Sequence, residues 1–368
     1  MADAHEVALD ILGWAREHNA LANDMAVPAL PPEAQGSDVF PDLPAGTPGA
    51  DDVEKTVKTL ERVKIVTVLA DNDLKRATVL TKNQISAAAL KTLPTDIDGV
   101  TISYIGSAAI EPNPPALPFS SADAAPRTFL HNKRLACGTS VTVAPIHHAG
   151  TFGALVRLHD GTLCGLTNNH VTGGCNHSKL GMHVLCPAPH DADPTHVPPT
   201  AIGRHHSFVQ LESGDPGQVR LQELDVALFQ ITMENAVTSM QGAGERAYDT
   251  PTDTTAPVGG MMVKKFGRTT GFTVGQVVGR AVTGLGIPFQ GDRFNSMVYF
   301  DGAWAIAPIA GAFSLGGDSG SLVVTEDGTK AAGLIFAGST SGEVSFMLPI
   351  DSVLSALGAQ LVSGYGTT

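Results

Sequence analysis

From about residue 130 onward the sequence is a succession of short β-rich runs cut by glycine turns, with no long helix between them. The clearest is TFGALVRLHDGTLCGLTNNHV, where Asp160-Gly161 sits between two apolar runs and reads as a tight hairpin. Similar runs follow at 225–231 (DVALFQI), 273–282 (TVGQVVGRAV), 320–324 (GSLVV) and 331–338 (AAGLIFAG). Parallel strands need a crossover of a dozen or more residues, usually a helix, so strands spaced like these pair antiparallel. The pattern therefore predicts a mainly β barrel or sandwich. A short helix at 350–358 closes this part of the chain.

The first third has a different texture. Val7, Ile11, Trp14 and Leu21 recur at roughly helical spacing, which predicts an amphipathic helix over 3–22. Residues 26–50 hold six prolines without periodicity and read as a linker. Asp51 is a candidate N-cap for a helix using Val53, Val57 and Leu60. Strands are expected at 64–69, 78–80 and 100–106, with a short helix capped by Ser86 between the last two. These make a small α/β module. Five prolines within 111–126 exclude a central strand there, so a boundary divides residues 1–125 from 126–368.

Composition narrows the function. With 368 residues and 43% hydrophobic side chains, the chain can build a large core without staples. A formal net charge of -13, with no compensating Lys/Arg run, argues against nucleic acid as a partner. No stretch approaches the ~18 apolar residues of a membrane span, and the acidic N-terminus lacks the apolar core of a secretory signal. A cytoplasmic protein is expected. The four cysteines, Cys137, Cys164, Cys175 and Cys186, read as reduced thiols rather than a disulfide framework.

The sharpest local signal is GGDSGS, residues 316–321, a serine in a glycine-dense turn before an apolar strand. Glycines let backbone N–H groups crowd one point, and donors at Gly317 and Ser319 can stabilise an oxyanion. A serine hydroxyl is a weak nucleophile and needs a base with an orienting acid. LTNNHV puts His170 at a strand end, and Asp225 opens an apolar strand 55 residues later, 94 before Ser319. The order His, Asp, Ser differs from those of subtilisins and α/β-hydrolases.

On these residues the region 130–360 resembles the chymotrypsin-fold serine proteases. LTNNHV is similar to the histidine motif of high-temperature-requirement proteases, and KFGRTTGFTVG (265–275) to the GRTTG segment of bacterial α-lytic and streptogrisin proteases. The resemblance implies two antiparallel β-barrels, at about 130–235 and 257–350, with the α/β module in front. It implies a serine endopeptidase with Ser319 as nucleophile, His170 as general base and Asp225 as its orienting carboxylate, and Gly317 and Ser319 as the oxyanion hole. It also implies that Arg268 pairs with Asp318. Phe313, six residues before the nucleophile, and Phe336-Ala337-Gly338 fall at the positions that line the family's specificity pocket. Phe336 replaces the serine that helps hold the catalytic aspartate, so Asp225 needs another donor.

The cysteines that flank these motifs in the secreted bacterial proteases are Lys264, Val274 and Leu315 here, which fits a reducing compartment. No cofactor is implied. Cys175, His177, His183 and Cys186 have zinc-type ligands, but their spacing matches no common zinc module, and the expectation is a loop without metal. Arg204 to Ser207, with His205 and His206, reads as a solvated loop. The expected partners are a protein or peptide substrate and a regulatory protein acting through residues 1–125. The alternatives are a catalytically weak, protease-fold peptide-binding module and an esterase using the same triad.

Overall fold

The computed structural model describes residues 3–22, 50–106, 110–111, 128–145, 148–192, 197–213, 221–291 and 293–368. The expected linker, apart from residue 50, and most of the proline-rich boundary segment lie outside these residues.

The second barrel is a closed ring. Met262–Gly267 pairs with Leu322–Thr325, which pairs in turn with Lys330–Ser339, Ser345–Pro349, Trp304–Pro308 and Gly271–Ala281. The last strand returns to the first through the register Met262↔Gln276 to Gly267↔Gly271. Inward side chains alternate with outward ones, as a barrel wall requires. Val263, Val277, Ile306, Phe313, Val323, Ile335 and Met347 form one buried cluster within it. The first barrel is a curled sheet in the order Ala154–Leu158, Leu163–Thr167, Ala227–Ile231, Thr200–Phe208, His183–Cys186 and Ser140–Val143. Its edge at Ala154–Leu158 is covered by the C-terminal strand Ala359–Leu361, delivered by the helix Ile350–Leu357. These are the two antiparallel barrels of the chymotrypsin-type double-barrel fold.

The N-terminal part is not a separate layer beside the barrels. Gly271–Ala281 pairs with Met262–Gly267 only as far as Gln276, and its free flank beyond that takes Ile65–Asp71 through Leu69↔Ala281 and Ala70↔Arg280. Arg76–Thr81, Val100–Gly106 and Asp96–Ile97 extend the same sheet outward. A long strand that outruns its neighbour presents unpaired N–H and C=O groups, and a second sheet satisfies them. Helix Ala4–Glu17, capped by reciprocal bonds between Asp3 and Glu6, lays Val7, Ile11, Leu12 and Trp14 against the extension. Helix Ala50–Val63 adds Leu60 and Val63 to that core.

Two features had no sequence expectation. Leu285–Gly291 and Phe294–Phe300 form a separate hairpin, paired from Leu285↔Phe300 to Gly291↔Phe294. Ile110–Glu111 pairs antiparallel with the end of Lys330–Ser339, as Gly338↔Glu111 and Ser339↔Ile110. One expectation is corrected: residues 204–207 lie within the strand Thr200–Phe208, not in a solvated loop, and His205 is fully buried against Phe208.

Candidate active site

His170 lies in a helical turn, Asn169–Gly173, directly after the strand Leu163–Thr167. Three asparagines fix this turn. Asn168 Nδ2 donates to the Asp225 carbonyl at 2.6 Å. Asn169 Nδ2 donates to the Val209 carbonyl, and its Oδ1 accepts the Asn176 N–H at 3.0 Å. Asn176 in turn accepts from Leu211 N–H and donates to its carbonyl, both at 2.8 Å. The two consecutive asparagines of LTNNHV thus work as braces, because an amide side chain can donate and accept at once.

Asp225 is fully buried. One carboxylate oxygen pairs with His170 Nδ1, and the other accepts the His170 backbone N–H at 3.2 Å. That backbone N–H is a second donor to the carboxylate, at a site where the resemblance led to a serine in place of Phe336. The pairing fixes the imidazole with Nδ1 toward the acid, leaving Nε2 as the outward nitrogen. Nε2 is buried and makes no hydrogen bond. The His170 ring packs edge-on against Phe289 of the separate hairpin, centroids 5.6 Å apart.

Ser319 lies at the base of the second barrel, between Gly317 at φ +97° and Gly320 at φ +93°. A Cβ at Gly317 would fall 2.3 Å from Arg268 Nη1, so only glycine fits that position. The first barrel grips this turn directly. Thr151 N–H donates to the Ser319 carbonyl at 2.8 Å and Thr151 Oγ1 to the Gly317 carbonyl at 2.9 Å. The Ser319 hydroxyl donates to the Phe336 carbonyl at 3.4 Å, and the residue is 1% exposed.

Arg268 and Asp318 are both buried, but they do not pair with one another. Arg268 binds the Asp191 carboxylate through Nε and through Nη2 at 3.0 Å, and Nη2 also reaches His190 Nε2 at 2.8 Å. Asp191 belongs to the first barrel's side of the molecule, and it holds the planar guanidinium in a two-pronged pair. Arg268 still abuts Gly317, so it supports the turn by packing. The cation facing Asp318 is Lys265, whose Nζ lies 3.7 Å from Asp318 Oδ2, both side chains having no exposure. Asp318 Oδ1 accepts Thr269 N–H at 2.8 Å and Thr270 N–H at 3.2 Å. Oδ2 accepts Thr270 Oγ1 at 2.8 Å and Leu315 N–H at 2.9 Å. The threonines of GRTTG thus hold the carboxylate. Burial pulls the Lys265 ammonium below its usual pKa, opposed by the attraction of Asp318. The sequence carried a signal for Lys265: it shares the inward phase of Val263 on one strand, while Lys264 takes the outward phase.

The residues expected to line a specificity pocket are core. Phe313 is fully buried in the second-barrel cluster, with Lys265 Nζ 5.6 Å from its ring centroid. Phe336 is also buried and packs on Phe300 at 4.7 Å, and Ala337 is enclosed with them. Large aromatic rings at these positions fill the space from within, and Gly338 offers only backbone. Of the Cys/His group, Cys175 and Cys186 lie in different core clusters, and His177 and His183 are exposed. No group of three or more His, Cys, Asp or Glu placed to hold a metal occurs among the described residues. No helix among them is long and apolar enough to cross a membrane.

No protein-family profile matches this chain, and no curated protein matches it by sequence. Among solved structures it is similar to Thermobifida fusca Protease A, at 20% identity over 62% of this chain and 100% of that one, TM-score 0.42. It is similar to Nocardiopsis Protease at 16% identity, over 61% of this chain and 97% of that one, TM-score 0.41. Cellulomonas bogoriensis chymotrypsin matches at 16% identity, over 62% and 98%, TM-score 0.40. The likeness is one of fold, that of the chymotrypsin-type bacterial serine proteases.

Proposed function

We propose that the chain is a serine endopeptidase that forms an acyl-enzyme on Ser319. The observation that supports this most is the His170–Asp225 pair: a buried carboxylate holds Nδ1 and the backbone of one histidine, leaving Nε2 to take a proton. In the reaction, Ser319 Oγ attacks the scissile carbonyl carbon while Nε2 accepts the hydroxyl proton. The peptide N–H groups of Gly317 and Ser319 receive the oxyanion, and Nε2 then gives its proton to the departing amine. Water repeats the sequence on the acyl ester, releasing the acid and restoring the serine. Asp318, held by Lys265, Thr269 and Thr270, and Arg268, packed under Gly317, keep the turn in shape for this role.

The N-terminal module acts on the site as a regulator, through the sheet it shares with the second barrel. Four free, buried cysteines fit the expected reducing, cytoplasmic setting. A second reading, a peptide-binding module with slow chemistry, is favoured by one observation: the Ser319 hydroxyl is turned to the Phe336 carbonyl rather than to His170. Incubating an unstructured protein substrate with wild type and with Ser319→Ala separates the two. Cleavage that needs Ser319 is the expected result. Hydrolysis of small esters but of no peptide would make the chain an esterase, and tight binding without turnover would favour the second reading.

A further inference from the structure

The oxyanion donors of the proposed reaction are the N–H groups of two peptides, Gly316–Gly317 and Asp318–Ser319. A trans peptide is planar with its C=O and N–H pointing opposite ways, so whatever holds the carbonyl oxygen also aims the N–H. Both carbonyls are held by side-chain hydroxyls. Thr269 Oγ1 donates to the Gly316 carbonyl at 2.6 Å. Ser321 Oγ donates to the Asp318 carbonyl at 2.6 Å, and the Ser321 N–H reaches the same oxygen at 3.0 Å. The two remaining carbonyls of the turn, those of Gly317 and Ser319, are taken by Thr151 of the first barrel, so each carbonyl from Gly316 to Ser319 has its own donor. The Gly316–Gly317 peptide is the one most free to turn, because it lies between two glycines and Gly317 sits at φ +97°. Half a turn of that peptide would put a carbonyl oxygen where the oxyanion belongs, and such a turn breaks the Thr269 bond. Thr269 is itself anchored, since its N–H donates to Asp318 Oδ1 at 2.8 Å. Ser321 is fully buried, and a Cβ at Gly267 would fall 2.7 Å from its Oγ, so the glycine at that position leaves room for the hydroxyl.

Resting on the endopeptidase reading, we propose that Thr269 and Ser321 are positioning residues whose hydroxyls aim the N–H groups of Gly317 and Ser319 at the developing oxyanion. Neither hydroxyl touches a reacting atom. Each acts through the peptide whose carbonyl it holds, and a donor fixed before the substrate arrives needs no reorganisation when charge appears on the carbonyl oxygen. The benefit belongs to the transition state, so it is read in kcat and not in KM.

The test uses the full chain as wild type, Thr269→Val, Thr269→Ser and Ser321→Ala. Thr269→Val puts a methyl in place of the hydroxyl at nearly the same shape, and Thr269→Ser keeps the hydroxyl. Outright loss of one oxyanion donor costs about 10²–10³ in kcat, so a donor left free to turn should cost roughly tenfold or more in Thr269→Val. Ser321→Ala should cost about fivefold, because the Ser321 N–H still holds the Asp318 carbonyl. KM should stay within about twofold in both, and Thr269→Ser should keep kcat within about threefold of wild type. Labelling by a fluorophosphonate should fall in the same order. Wild-type kcat in Thr269→Val, an equal fall in Thr269→Ser, or a change confined to KM overturns the role of Thr269, and wild-type kcat in Ser321→Ala overturns that of Ser321. A second readout is independent of turnover. In chains carrying [1-13C,15N]glycine, the Gly316 carbonyl resonance, read through its coupling to the Gly317 nitrogen, should move upfield in Thr269→Val and return in Thr269→Ser, while the pairs Gly173-Gly174 and Gly259-Gly260 stay in place. A wild type that neither cleaves nor labels refutes the endopeptidase reading, and the carbonyl resonance then decides the positioning alone: movement with the hydroxyl supports it, and one position in all chains overturns it.

Discussion

The two halves of the candidate site differ in readiness. On the first barrel's side, His170 and Asp225 are already assembled, braced by Asn168, Asn169 and Asn176, and need nothing further to present Nε2. On the second barrel's side, the Asp318 turn is equally well held, but the Ser319 hydroxyl is directed to the Phe336 carbonyl and Nε2 has no partner. The proposed base is held in place, and the proposed nucleophile is hydrogen-bonded elsewhere. Phe336 lies on the strand Lys330–Ser339, which is shared by the second barrel and by Ile110–Glu111.

The comparison can be broken most severely at the nucleophile. Ser319→Ala should remove essentially all peptide hydrolysis, a fall of up to ~10⁶-fold, with the fold intact by circular dichroism. On the other half, Asp225→Asn keeps the shape but releases the imidazole orientation, and turnover should fall by roughly 10⁴-fold. Turnover within tenfold of wild type would show that the assembled half is not the base.

The second barrel's buried pair gives the next effect. Lys265→Met leaves Asp318 without its cation and should destabilise the chain by about 3–5 kcal/mol in denaturant unfolding. Combining it with Asp318→Asn should recover part of that loss, because the uncompensated charge is gone. No recovery would mean that Lys265 acts by packing alone.

The smallest effect belongs to a group outside the site. Burial lowers the His205 pKa to about 4, whereas an unfolded histidine takes its proton near ~6.5. Between those values the unfolded chain binds more protons than the folded one, so stability falls as pH drops from ~6.5 toward 4 and levels off below. Thermal midpoints measured across that window should show the decline, and His205→Leu should flatten part of it.

Much of this was legible from residues alone. The hairpin at Asp160-Gly161 and the strands Ala227–Ile231, Gly271–Ala281, Leu322–Thr325 and Lys330–Ser339 were readable from alternation and turn residues, and local motifs brought out His170, Asp225 and Ser319 as candidates. What escaped were partnerships set by long-range packing. A sequence shows that Arg268 follows Gly267 but not that Asp191, 77 residues away, would take its guanidinium. The strand phase marks Lys265 as inward, but nothing in the sequence names Asp318 as its partner. Phe313 and Phe336 look like pocket walls by position, but ring volume decides that they become core. The hairpin of Leu285–Phe300 and the pairing of Ile110 with Ser339 depend on a surface that exists only once both barrels have closed.

The most direct measurement is intact mass after fluorophosphonate treatment of the wild-type chain, with Ser319→Ala and His170→Ala beside it. The account predicts one adduct per chain, mapping to Ser319, on the first and none on the other two. An adduct on all three, or on none, would contradict it.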